Sequence, residues 1–222
     1  LSKIPAFIIM FNRLTWPKQM AEFLSDTGCE VFLVDNGSTY PDLLEWYKNC
    51  PYKIYKLNAN FGHHVIWTCR IIENNHPNEA HYIATDHDLD LSNVPKDYLD
   101  LLLKEVELYD DIFKAGLSLE IKDLPKNEFT DKIINFENHF WDTPRGNNGF
   151  YAAEIDTTLA LYKSRKSYDR DNFYKAVRSP RPYTARHLPW YMSDQLVNEE
   201  YFYRKNINAD IKSCNSSHWL NK

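Results

Sequence analysis

Residues 81–95 read HYIATDHDLDLSNVP. Tyr82-Ile83-Ala84 is a short apolar run of the kind that ends a buried strand, and it leads into Asp86, Asp88 and Asp90 at alternate positions. Alternate residues of an extended chain share a face, so Asp86 and Asp88 are expected to project together while His87 faces away. Two adjacent carboxylates suit a hard divalent cation with oxygen ligands, and a cation held there can clamp a phosphate. An acidic turn whose Asp side chains bond their own backbone gives the same letters. The segments before it decide between the two.

Upstream, Ala6 to Met10 is a continuous apolar run without alternation, as in a central parallel strand covered on both faces. It ends at Phe11-Asn12-Arg13. Thr15 is placed to cap a helix with Pro17 just inside it and Gly28 beyond its end. Val31 to Val34 repeats the buried-strand pattern and meets the turn-forming Asp35-Asn36-Gly37-Ser38-Thr39. Lys53 to Leu57 alternates and reaches Asn58-Ala59-Asn60-Phe61-Gly62, before a helix expected from His64 through Ile72. Strand and helix in alternation signify βαβ units and a parallel sheet, whose ligands bind beyond the carboxyl ends of the strands. Four polar strand ends therefore share one rim, and the aspartate cluster is the fourth.

Downstream the alternation breaks. Tyr98 to Tyr109 is an amphipathic helix and Ala115 to Ile121 a strand. Residues 122–143 read as loop and short helix, and Gly149 to Tyr162 as one bent strand or a hairpin. A loop-rich stretch then carries Arg178, Arg181 and Arg186 into His187, before a final helix from Asp194 to Arg204. With neither repeats nor a linker, 1–222 is expected to be one domain, with a ligand-binding half over 1–95 and a second half with a closing segment over 96–222.

The chain has 222 residues, enough for a sizeable core, and a formal net charge of -5, which opposes nonspecific binding to nucleic acid. Cys29, Cys50, Cys69 and Cys214 lack CxxC or metal-finger spacing, so they suggest neither zinc nor a disulfide framework. No apolar run approaches the roughly 20 residues of a membrane span, and a soluble cytoplasmic protein is expected, with peripheral membrane association left open. The chain opens at Leu1 rather than Met, which suggests a processed or excised chain and leaves room for a membrane anchor or partner domain outside it.

Taken together, the opening strand ending in FNR, VDNGST at Val34 to Thr39, NFG at Asn60 to Gly62 and DHD at Asp86 to Asp88 resemble a GT-A fold glycosyltransferase of the family 2-like type. The resemblance spans nearly the whole chain. It implies an α/β nucleotide-diphospho-sugar transferase fold, with a mostly parallel central sheet flanked by helices and a smaller acceptor-side region. It also implies a metal-dependent enzyme that moves a sugar, with inversion, from a nucleoside-diphosphate sugar such as a UDP-sugar to an acceptor hydroxyl in glycan synthesis. Mn or Mg would be held by the DxD pair Asp86 and Asp88 with the late histidine, His187. His218 is the second choice for that histidine.

On the same resemblance Asp35 contacts the nucleoside, and Phe11, Asn12, Arg13, Asn36, Asn60, Gly62 and Asp86 complete the donor site. Arg178 and Arg186, with Arg181 between them, would close over the diphosphate. A glycine-containing loop, Arg145 to Gly149, precedes the acid that serves as base. The segment reads Glu154-Ile155-Asp156, which makes Asp156 the first choice and Glu154 and Asp194 the alternatives. His63 and His64 read as structural. Two rival functions remain: a nucleotidyltransferase, disfavoured because Ile9 to Arg13 contains no glycine, and a catalytically silent glycan-binding or assembly module.

Overall fold

A computed structural model describes residues 3–78, 81–163, 170–192 and 198–207. The first half alternates as expected: β1 (Ile4–Met10), α1 (Thr15–Asp26), β2 (Cys29–Asp35), α2 (Pro41–Trp46), β3 (Lys53–Lys56), α3 (Val65–Thr68), α4 (Ile71–Asn75) and β4 (His81–Thr85). Then follow β5 (Leu89–Asp90), α5 (Tyr98–Leu108), β6 (Lys114–Gly116), β7 (Ser118–Leu119), α6 (Thr130–Asn138), β8 (Pro144–Arg145), β9 (Phe150–Ala152) and β10 (Ala160–Lys163). The last elements are α7 (Arg170–Phe173), β11 (Ala176–Arg178), β12 (Thr184–His187) and α8 (Asn198–Asn206).

Nine strands form one sheet in the order β3-β2-β1-β4-β10-β6-β11-β9-β8. The first four are mutually parallel, and of the nine only β9 and β10 run against the rest. The mixed α/β sheet is therefore mostly parallel, as expected. Alternation along β1 shows why both faces are covered. Ala6, Ile8 and Met10 enter one core with Met20 and Leu24 of α1 and Leu102 of α5, whereas Phe7 and Ile9 enter the other with Trp67, Ile71 and Phe173. Burying both faces favours the uninterrupted apolar run read from the sequence.

Several local expectations are corrected. The single helix from His64 to Ile72 is two short helices, broken where Arg70 takes a positive φ of 54°. Ala115 to Ile121 divides into β6 and β7, which lie in different sheets. Gly149 to Tyr162 contains β9 and β10, but β6 and β11 separate them in the sheet, so they form no hairpin. The final helix is described over Asn198–Asn206, and Asp194, where it was expected to start, falls outside the described residues with Cys214 and His218.

Thr15 does not cap α1 through its own hydroxyl. Glu199 of α8 does so instead, accepting from the backbone N–H groups of Leu14 and Thr15 at 3.1 Å each and from the Thr15 hydroxyl at 3.1 Å. A carboxylate there satisfies donors that the helix itself cannot and complements its dipole. A second, three-stranded sheet in the order β5-β12-β7 returns the late chain to the rim. In it His187 pairs with Leu89, and the Leu188 N–H donates to the Asp88 carbonyl at 2.9 Å.

Candidate active site

The parallel strands β1, β2 and β4 end at Met10, Asp35 and Thr85. Antiparallel β10 begins at the same edge, because Ala160 pairs with both Ala84 and Gly116. This is how Asp156 and Thr157, just before β10, arrive beside the aspartate cluster. The Asp86 N–H donates to the Thr157 carbonyl at 2.9 Å, and the Thr157 hydroxyl donates to Asp86 Oδ2 at 2.5 Å.

Asp86 and Asp88 have different surroundings. Burial pushes the Asp86 carboxyl well above the usual range, and the charges of Asp88 and Asp156 add to the rise. Asp88, 6% exposed, faces Arg13 Nη1 at 3.3 Å through Oδ2 and His187 Nε2 at 3.7 Å through Oδ1. His187 Nδ1 is buried without a hydrogen-bond partner, and burial lowers the ring's pKa.

His87 turns into the protein as expected. Its Nε2 lies 3.2 Å from Arg13 Nη1 and must accept, since a guanidinium only donates, so Nδ1 donates to the Ile9 carbonyl at 2.8 Å. Burial and the Arg13 charge push its pKa down to about 4. The unfolded chain then takes up this proton near 6.5 and the folded chain only near 4, so the stability tied to a neutral His87 is lost as pH falls through that window. His87→Gln is expected to remove on the order of 3 kcal/mol of pH dependence across it. Urea unfolding of both proteins at pH 7 and pH 4 measures the difference, and an equal loss of stability in the two would refute the assignment.

The other rim residues mainly organise one another. Asn12, at a φ of 50°, accepts through Oδ1 from the N–H groups of Thr39 and Tyr40 at 2.6 and 3.0 Å, and its buried Nδ2 has no hydrogen-bond partner. Asp35, 3% exposed, accepts from the Ser38 N–H at 3.0 Å, and burial raises its pKa. Asn36 donates to Asn60 Oδ1 at 2.8 Å and to the Gly62 carbonyl at 2.9 Å, joining the loops after β2 and β3. Gly37 has a φ of 79°, and a Cβ there would sit 2.8 Å from the Ala59 backbone, so glycine permits the close approach of these loops. Phe61, 50% exposed, donates its backbone N–H to Asn36 Oδ1 at 2.8 Å in the same junction. Phe11 packs edge-on against Tyr203 of α8.

The arginines have protein partners. Arg13 is 1% exposed and bonds Glu200 through Nε at 2.8 Å and Nη2 at 2.7 Å, with the Tyr203 ring 3.5 Å away. Arg178 is buried between Glu137, the Glu154 carbonyl and the Phe140 ring. Arg186 pairs with Asp123 and Asp90, and Arg181 with Glu120. In this arrangement each of these arginines ties two or more parts of the protein together.

Two groups that the sequence left as structural, or did not single out, adjoin Asp156. His63 and His64 bring Nε2 to 3.6 and 3.4 Å from Asp156 Oδ1. Lys114, with no exposure, donates to the Asp156 carbonyl at 2.8 Å and to the Tyr162 hydroxyl at 3.2 Å, and burial holds its pKa well below the usual value. Burial of Asp156 works to raise its pKa, but the His64 contact and the charges of His63, His64 and Lys114 outweigh it, so the carboxyl stays below the ordinary range. Glu154 is exposed and contributes its backbone carbonyl to Arg178. The doublet at 63–64 was the available signal, since consecutive histidines at a strand-end loop are a donor pair, but its partner is a carboxylate far along the chain.

No family model and no curated protein matches the sequence. Among solved structures, the chain is similar to glucosyl-3-phosphoglycerate synthase from Mycobacterium tuberculosis in complex with phosphoglyceric acid, at 10% identity and a TM-score of 0.47. That alignment covers 74% of this chain and 57% of the other, so the chain spans little more than half of that structure's length. It is also similar to 4-diphosphocytidyl-2C-methyl-D-erythritol synthase, at 8% identity and a TM-score of 0.46, with 92% of this chain and 98% of the other covered. Among the described residues no helix is long and apolar enough to cross a membrane.

Proposed function

We propose that the chain is a metal-dependent glycosyltransferase that moves a sugar from a nucleoside-diphosphate sugar to an acceptor hydroxyl with inversion, in glycan or polysaccharide synthesis. The observation that supports it most is the convergence of Asp35, Asp86, Asp88 and Asp156 on one strand-end rim, the place where open α/β sheets bind ligands. Asp35 and the loop around Asn36 would face the nucleoside, with the unpartnered Asn12 Nδ2 as a free donor beside them.

The residues proposed to hold Mn or Mg are Asp86, Asp88 and His187, two hard carboxylates with one imidazole; among the described residues their donor atoms are not all gathered within 4.8 Å of one another, so holding an ion would require the Asp86 carboxylate to turn toward the Asp88 and His187 pair. The two carboxylates raise the demand for positive charge at Asp86, Asp88 Oδ1 faces His187, and Arg13 meets the pair through Asp88 Oδ2. When bound, such an ion neutralises the departing diphosphate. The protein's own part is to hold donor and acceptor in line and to receive the acceptor's proton. Asp156 is assigned to that step because it is the exposed carboxylate of the group and is ionised at neutral pH. The O–H bond breaks toward Asp156 as the oxygen bonds the anomeric carbon and the bond to the diphosphate opens on the far side.

A panel of nucleotide sugars with Mn or Mg tests the reading. Release of nucleoside diphosphate with free sugar or a glycosylated acceptor is expected. Pyrophosphate release from nucleoside triphosphate and a sugar phosphate would replace it with nucleotidyl transfer, and no turnover of any donor would favour a silent binding module.

A further inference from the structure

We propose that His63, His64 and Asp156 form a binding site for one divalent transition ion of the zinc, cobalt or nickel class, separate from the Asp86 and Asp88 pair. Two consecutive residues rarely address the same atom, yet both imidazoles present Nε2 to Asp156 Oδ1, at 3.6 and 3.4 Å, and all three donor atoms lie within 4.8 Å of one another. These separations exceed the roughly 2.7–3.2 Å of good N–H···O bonds. Around a tetrahedral ion with ligand bonds of about 2.0–2.1 Å, neighbouring donors stand about 3.3 Å apart. The His64 contact is a long hydrogen bond and the His63 contact lies beyond hydrogen-bond range, while both spacings match those of neighbouring ligands around one ion.

The donor chemistry selects the ion. Imidazole suits Zn, Co, Ni and Fe, whereas Mg and Ca prefer oxygen donors such as the aspartate pair. Two histidines and one carboxylate also leave a coordination position open, as in zinc sites that act on a bound water or hydroxyl.

The donors are braced on the protein side and accessible from the other. The Asp156 backbone is fixed by Lys114 at its carbonyl and by the neighbouring contacts of Thr157 with Asp86. The His64 ring packs on Phe173 at 4.7 Å and edge-on to Trp67 at 5.7 Å, and its carbonyl accepts the N–H groups of Trp67 and Thr68. Side-chain exposures of 22%, 20% and 53% for His63, His64 and Asp156 leave a route for an ion from solvent. Since both histidines address Oδ1, Oδ2 remains the oxygen assigned to the acceptor's proton.

The site is tested by titrating the full chain with Co²⁺ and recording its visible ligand-field spectrum, without any donor present. One equivalent is expected to bind with the intense bands of a four-coordinate ion and to be displaced by Zn²⁺. Loss of a second-shell partner already weakens metal sites by 10–100-fold, so His63→Ala, His64→Ala and Asp156→Asn should each weaken binding by more than about 100-fold. Asp86→Asn should leave the spectrum in place. Zn²⁺ should also raise the melting temperature of the unmodified protein but not of folded His63→Ala, which covers the case in which one variant misfolds. No bands at saturating Co²⁺, bands indifferent to both histidine variants, or bands lost in Asp86→Asn would overturn the proposal. Donor turnover is not read, so failure of the transfer reaction and failure of this site are separate results.

Discussion

Asp86→Asn is expected to lower nucleotide-sugar turnover by about 100- to 1,000-fold, the usual effect of removing one group that stabilises developing charge, while raising the melting temperature. The two effects share a cause. Burial and the Asp88 charge push the Asp86 carboxyl well above the ordinary range, so the folded protein holds that proton more tightly than the unfolded chain. Above that raised pKa the ionised form therefore opposes folding in full, and the opposition fades as pH falls through the raised pKa toward the ordinary carboxylate range. Asparagine removes the charge and can still accept the Thr157 hydroxyl bond. Greater stability with lost activity is the pattern of a group retained for chemistry at a structural cost. Steady-state transfer with Mn or Mg beside a thermal melt reads both halves. Full activity of Asp86→Asn combined with Asp88→Asn in the presence of chelator would end the metal-dependent mechanism.

The largest effect on stability is expected at Arg13. Its guanidinium lies under α8 with 1% exposure, bonded to Glu200, Asp88 and His87 and flanked by the Tyr203 and Trp16 rings. Arg13→Met keeps much of the volume but takes the guanidinium from buried Asp88 and leaves Glu200 paired with Arg204 alone, and breaking a buried pair in this way costs about 3–5 kcal/mol. Adding Asp88→Asn should restore part of the loss, because much of the cost lies in the buried carboxylate left without its guanidinium. Urea unfolding of the single and double variants measures the coupling. A single variant within 0.5 kcal/mol of the unmodified protein, the range usual for surface changes, would show that Arg13 is not the tie described.

The elements that were legible in the sequence are those fixed by local chemistry. Buried apolar runs at Ala6 to Met10 and Val31 to Val34 specify strands covered on both faces, and the polar residues that end them mark a common rim because parallel strands finish on the same side. What was not legible depends on partners far along the chain. Arg13, Arg178 and Arg186 carry the same charge whether they meet a diphosphate or a carboxylate of the same protein, and only the fold shows Glu200, Glu137 and Asp123 beside them. His63 and His64 read as structural because Asp156 is delivered by a strand that enters the sheet antiparallel beside β4. The broken helix at Arg70 and the separation of β9 from β10 carry no local letter code, since a positive φ at arginine and insertion of β6 and β11 are imposed by packing.

The Glu199 cap on α1 also bears on the order in which the protein is made. The carboxylate that completes the first turn of α1 is 184 residues later in the chain than Thr15, and the neighbouring Glu200 tie to Arg13 spans 187. While the ribosome is still translating the middle of the message, the opening rim therefore has its strands but neither its cap nor its counter-charge. A nascent chain halted before Glu199 would be expected to hold the sheet core yet bind donor poorly, so competence arrives in a late step of synthesis and does not grow in proportion to length.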